Sequence, residues 1–151
     1  MALYKLSPEV HADNADKTWD ATTTPRTLLT AVFSVLYPIT TELFSSGIGG
    51  LYGVTESLAA ALAATDLTGY RLVPATGRPS EFADDSDTLT IPAVLYALDI
   101  YGRGGIDDIA RPQGFVLSRR AADFFCDRDP DLATTRREVD AEAWVVRRSI
   151  F

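Results

Sequence analysis

One pattern occurs twice in this chain, and it constrains the fold more than any other feature. Tyr52-Gly53-Val54-Thr55-Glu56-Ser57-Leu58-Ala59-Ala60-Ala61-Leu62 aligns without a gap on Phe115-Val116-Leu117-Ser118-Arg119-Arg120-Ala121-Ala122-Asp123-Phe124-Phe125. In each copy a short aromatic and aliphatic run stops at a hydroxyl residue, and an alanine-bearing amphipathic stretch begins. The order predicts strand, N-cap and helix, with the hydroxyl of Thr55 or Ser118 accepting from a backbone N–H of the first helical turn. A repeated strand-to-helix unit implies a scaffold with quasi-equivalent halves. It supplies no chemistry of its own.

The remaining segments fill in the fold class. Ala2 to Leu6 reads as a first strand, and Ser7 to Pro25 as a polar loop carrying a lone Trp19. Thr27 to Ile39 is the longest apolar block. Its length would also suit a buried helix, but its β-branched and aromatic content favours a strand, and Pro38 ends either element. Ser45 to Gly50 reads as a turn, and Tyr70 to Val73 as a strand. Pro74 to Asp87 reads as a long loop, and Thr88 to Tyr101 as an apolar stretch with Pro92 where a helix accepts proline in its first turn. Gly102 to Gly114 is a further loop, and Ala143 to Arg148 a closing strand. The expected architecture is one α+β domain over residues 1–151, a mixed sheet with two or three packed helices and long loops.

Composition narrows the function classes. A chain of 151 residues, 46% apolar and 23% charged, is long enough for a real core. Its net charge of −7 argues against a general nucleic-acid binder, which needs basic surface to displace counterions. The same charge suits a basic protein partner. The single cysteine, Cys126, rules out an internal disulfide framework and a multi-cysteine zinc site. No cofactor is expected, and no metal is assigned. No basic leader precedes a long apolar segment, and no run approaches the roughly 20 apolar residues of a membrane span. A cytoplasmic location is the expectation.

The candidate chemical groups are few. His11 lies near Glu9 and Asp13 without a nucleophile at triad spacing, and reads as a solvated loop histidine. Cys126 follows Phe124-Phe125, and the adjacent Asp127 would raise its pKa, so it reads as a structural thiol. The glycines of Gly47 to Gly53 precede a strand where a dinucleotide fingerprint would have them follow one. Asp84-Asp85-Ser86-Asp87 lacks the central glycine and distant Glu of a calcium loop. One charge feature stands out: from Pro79 to Ala110 there are seven acids and a single base, Arg103. Ordinary loop solvation is the competing account of such a run. As a binding feature, Asp84, Asp85, Asp87, Asp107 and Asp108 are expected to be exposed and to converge on one acidic rim. Trp19 either plugs the core from its loop or serves as an anchor for a partner.

The segments Leu51 to Leu62 and Leu67-Thr68-Gly69-Tyr70-Arg71-Leu72-Val73-Pro74 resemble a group of small bacterial α+β proteins that includes immunity-type proteins found beside polymorphic toxins. In that group a strand ends in Val-Ser or Val-Thr, a helix follows, and a Leu-Thr-Gly-aromatic turn leads to the next strand. Phe115 to Ala122 looks like the second such segment. Some members carry paired cysteine motifs for metal, and with Cys126 alone this chain departs from them. The resemblance implies a non-catalytic protein that sequesters a cognate toxin, with no catalytic residue carried over. Two other expectations stand beside it. One is an assembly subunit that forms homo-oligomers by pairing Thr27 to Ile39 at an exposed sheet edge. The other is a small enzyme using carboxylates among Glu42, Glu56, Asp99 and Asp123.

Overall fold

The computed structural model of the protein describes residues 2–24, 26–84, 88–111 and 115–140. The chain is α+β, with three α-helices and ten strands in two sheets among the described residues. It divides into two compact units: Met1–Ser7, Thr65–Tyr70 and Ile100–Phe151 form the first, Pro8–Ala64 and Arg71–Asp99 the second.

The first unit holds an antiparallel sheet of β1 (Leu3–Lys5), β8 (Ile109–Ala110), β9 (Val116–Leu117) and β10 (Arg137–Val139), in the order β10-β1-β9-β8. Helix α2 (Arg119–Arg128) turns Ala121, Ala122 and Phe125 inward, where Phe125 meets Phe115 edge to face at 5.4 Å. A short helix, α3 (Pro130–Ala133), starts on Asp129, whose carboxylate accepts from the N–H of Asp131 and Leu132. The Leu67-Thr68-Gly69 turn is fixed by contact with the start of β8, where the Ile109 N–H donates to the Thr68 carbonyl at 3.0 Å. Gly69 has φ +100°, and a Cβ there would fall 2.1 Å from the Ile109 carbonyl oxygen, so only glycine fits.

The second unit is built on a mixed sheet of β2 (Ala12–Asp20), β3 (Thr27–Val35), β4 (Leu43–Ser45), β5 (Tyr52–Thr55), β6 (Tyr70–Pro79) and β7 (Leu95–Ile100), in the order β2-β3-β6-β7-β5-β4. The β3–β6 pair is parallel, whereas β2–β3, β4–β5 and β5–β7 are antiparallel. Phe33 and Phe44, both fully buried, meet edge to face at 5.0 Å in the core. Gly53 sits opposite Phe44 across the β4–β5 pair, and a Cβ there would lie 2.1 Å from that ring. Helix α1 (Glu56–Ala63) buries Leu58, Ala59 and Leu62.

The repeated pattern adopts its expected conformation in both places. Thr55 and Ser118 are both N-caps with extended backbone, at φ −76°, ψ 165° and φ −64°, ψ 165°. The expected hydroxyl bond forms only at Ser118, which accepts from the Ala121 N–H at 3.2 Å. Thr55 Oγ1 is buried and meets no partner among the described residues.

Several expectations need correction. The polar segment after Ser7 contains the strand β2, which gave no hydrophobic alternation because it lies at the sheet edge and buries only Ala12 and Ala15. The supposed loop from Pro74 begins as the second half of β6: Val73 and Ala75 point inward, Pro74, Thr76 and Arg78 outward, and Ala75 to Pro79 pair with β3. The apolar stretch after Pro92 forms the strand β7, not a helix. That strand lies between β6 and β5 with Leu95, Ala97, Leu98 and Ile100 buried, so it reads as a continuous apolar run. The loop expected from Gly102 includes the two-residue strand β8. Thr27 to Val35 is a strand as expected, but it lies between β2 and β6, so it offers no free edge to a second copy. The closing strand expected at Ala143 to Arg148 lies outside the described residues.

Candidate functional site

The site with the most binding chemistry lies in the second unit, on the solvent face of β2, β3 and β6. Register places Asn14, Ser34 and Arg78 in one row across these strands, and Asp16, Val32 and Thr76 in the next. The alternate residues Ala15, Phe33 and Ala75 face the core, so the polar row is a direct consequence of strand periodicity. Between Ala12 and Asn14 the register slips, leaving Asp13 as the extra residue of a β-bulge. A bulge re-aims a side chain, and here it brings Asp13 to Ser80, whose Oγ donates to Asp13 Oδ2 at 2.8 Å.

Ser80 organises the end of β6. It is buried, its N–H donates to the Val35 carbonyl at 2.8 Å, and its Oγ accepts from the Phe82 N–H at 3.1 Å. The Ala83 N–H then donates to the Ser80 carbonyl at 3.1 Å, closing a tight turn that presents Glu81 and Phe82 to solvent. Phe82 is 71% exposed, although its backbone N–H is tied to Ser80.

These residues enclose a cleft of about 490 Å³, walled by Asp13, Asp16, Ser34, Arg78, Glu81 and Phe82. That volume is in the range of roughly 300–1,000 Å³ typical of ligand clefts. A smaller hollow of about 220 Å³ also has Phe82 among its lining residues, with Leu36, Tyr37, Pro38, Asp84, Thr88 and Leu89. The larger cleft holds three carboxylates and one guanidinium. Arg78 pairs with Asp16, and both side chains are more than half exposed. Such a pair contributes only ~0–1 kcal/mol, so an incoming cation competes with Arg78 for Asp16 on nearly equal terms. Asp13 differs: its Oδ1 is covered and receives no hydrogen bond among the described residues. Its charge is therefore left to act on whatever enters the cleft.

The expected site residues fall elsewhere for the most part. Asp84 is exposed, as expected, whereas Asp85 and Asp87 lie outside the described residues. Asp107 is half-buried and accepts from the Arg103 N–H at 2.8 Å. The expectation that Asp108 is exposed fails. It is 8% exposed and serves as an internal hub: Arg120 donates to both of its oxygens at 2.8 and 2.6 Å, Ser118 Oγ at 2.7 Å and the Thr68 N–H at 2.9 Å. The Arg120 hydrogen bonds hold the Asp108 carboxyl far below the usual carboxylate range, against the opposing effect of burial. Trp19 is partly buried against the core, and the Arg26 guanidinium lies over its ring at 4.5 Å.

His11 is a second correction, since it is buried and not solvated. Its backbone explains why: the His11 carbonyl accepts from the N–H of Leu36 and Tyr37, and its N–H donates to Ser45, tying the end of β3 to β4. Its Nε2 lies 3.1 Å from Glu9 Oε2. Burial is the largest influence on Cys126 and pushes its thiol pKa up. Of the carboxylates considered for catalysis, Asp99 pairs with Arg71 at 2.8 Å and Asp123 with Arg136 at 2.7 Å. Neither these two nor Glu42 and Glu56 line either hollow.

Asp13, Asp16, Ser34, Arg78, Glu81 and Phe82 are the site residues that sequence reasoning missed. Phe82, an aromatic between Glu81 and Asp84 in a run of acids, was the signal that could have marked the place. Among the described residues no group of three or more His, Cys, Asp or Glu is placed to hold a metal ion, and no helix is long and apolar enough to cross a membrane. Compared with protein-family models, with curated proteins and with solved structures, the chain finds no match.

Proposed function

We propose that this chain is a non-catalytic binding protein that receives a basic surface of a partner protein on the cleft of its second unit. The observation that carries the reading is the combination of incompletely neutralised carboxylates with an exposed aromatic at one place, Asp13 and Glu81 beside Phe82. Acids at a cleft speed the encounter with a basic partner and discourage wrong ones, and a desolvated aromatic supplies the affinity. Tyr37, 57% exposed beside the smaller hollow, extends the aromatic surface. The specific form of this reading is an immunity protein that occludes a cognate toxin in the bacterial cytoplasm. It rests on the resemblance of the Leu51 to Val73 and Gly114 to Phe125 segments, and a standard interface of that kind buries about 1,600 Å² in total.

A photo-crosslinking amino acid placed at Phe82 in the native host tests the reading, with the same group at exposed Ile106 of the first unit as the control. The expected result is one basic protein captured from position 82, with the yield falling in high salt and on Glu81→Gln. Equal capture from position 106, or capture indifferent to salt, overturns it.

A further inference from the structure

Phe82 lines both the cleft and the hollow, and the cleft is the more polar of the two. The larger is lined by three carboxylates, two serine hydroxyls and the Arg78 guanidinium, and the smaller by Leu36, Tyr37, Pro38 and Leu89 together with Asp84 and Thr88. Resting on the binding reading above, we infer that this pair of hollows reads two neighbouring side chains of the partner, an arginine in the larger and an aliphatic residue in the smaller, with Phe82 as the residue common to both.

Arginine fits the larger cleft better than lysine for three reasons. Its planar fork of five N–H donors meets several acceptors at once, and the cleft offers the carboxylates of Asp16 and Glu81 and the hydroxyl of Ser34. Its flat guanidinium stacks on an aromatic face, which Phe82 leaves open to solvent. Its weaker hydration lowers the cost of entering a cleft whose negative field comes partly from a covered carboxylate, Asp13. The smaller hollow has one acid among the described residues, Asp84, against four apolar walls in Leu36, Tyr37, Pro38 and Leu89. Desolvation of Leu36 and Leu89 there rewards an apolar occupant.

The test is a titration of the isotope-labelled full chain, followed by amide NMR, with three blocked peptides. The first carries Arg and Leu separated by one glycine, the second replaces Arg by its neutral isostere citrulline, and the third replaces Leu by Gly. The Arg–Leu peptide should shift the amides of Asp13, Ser34 and Ser80 together with those of Tyr37 and Leu89. Citrulline should weaken binding at least about tenfold and remove the first set of shifts. The peptide lacking Leu should keep the first set and lose the second. Phe82→Ala should abolish both, and because Phe82 is exposed this variant should keep the rest of its spectrum. Absence of binding, equal binding of the citrulline peptide, or shifts that map away from Phe82 overturns the inference. Position 82 capturing a basic partner while the peptides fail would leave the binding function standing and remove only the two-residue reading.

Discussion

Asp108 in the first unit and Asp13 in the second are both acids drawn into the protein, and they show opposite ways of handling a negative charge. Every oxygen of Asp108 is occupied: Arg120 spans both, and Ser118 and Thr68 add donors from two further segments. Asp13 has one oxygen bonded to Ser80 and the other covered without a donor. The first arrangement is what a fold does with a carboxylate it uses as a clamp, because hydrogen bonds to a charged acceptor stabilise by about 1.5–3 kcal/mol each. The second leaves charge unspent at a cleft. The lesson is that an acid is available to a partner only where the fold has not already neutralised it, and that local charge density says nothing about which case holds.

The largest expected effect tests the clamp. Asp108→Ala should destabilise the protein by about 2–4 kcal/mol, since it removes the charged acceptor shared by the Thr68 N–H, the Ser118 hydroxyl and the Arg120 guanidinium. Chemical denaturation measures this, and a variant as stable as the parent would break the contrast with Asp13. The clamp should also carry a pH signature. The folded pKa of Asp108 lies below its ordinary value of 3.8, so below that value the unfolded chain binds the proton and the folded chain does not. The contribution is therefore complete above the unfolded value and declines as pH falls from there through the depressed folded value. The stability gap between the parent and Asp108→Asn should accordingly narrow on acidification and stay constant near neutrality.

An intermediate effect separates the two caps. Ser118→Ala removes both the bond to Ala121 and a donor to Asp108, and should cost about 0.5–2 kcal/mol. Thr55→Val keeps the shape and deletes a buried hydroxyl that bonds to nothing described, so it should be neutral or stabilising. Thermal melts of the two variants decide the matter. An equal loss in both would mean that Thr55 caps α1 in solution after all.

The smallest effect on folding should come from Asp13→Asn, within about 0.5 kcal/mol of the parent or slightly above it. Its consequence should instead appear as slower association with the partner at low salt. A loss of stability comparable to that of Asp108→Ala would make Asp13 a second clamp and remove the basis of the binding cleft.

What the sequence determined by itself was local. The strand–cap–helix backbone at Thr55 and Ser118, the strand at Thr27 to Val35 and the Leu67-Thr68-Gly69 turn all follow from residue types that restrict their own φ and ψ or point alternately to two faces. Strand β2 was hidden because an edge position needs only two buried alanines, and β7 was misread because a strand buried on both faces has no period to detect. The candidate site was legible only in part: the excess of acids near Glu81 and Asp84 was visible, but not which acids would be free. Tertiary structure decided that. Asp16 meets Arg78 from 62 residues away and Asp13 meets Ser80 from 67, while Asp108 finds Thr68 at 40. Hydrogen bonding and charge neutralisation depend on distance in space, and no spacing along the chain encodes those encounters until the sheets are assembled.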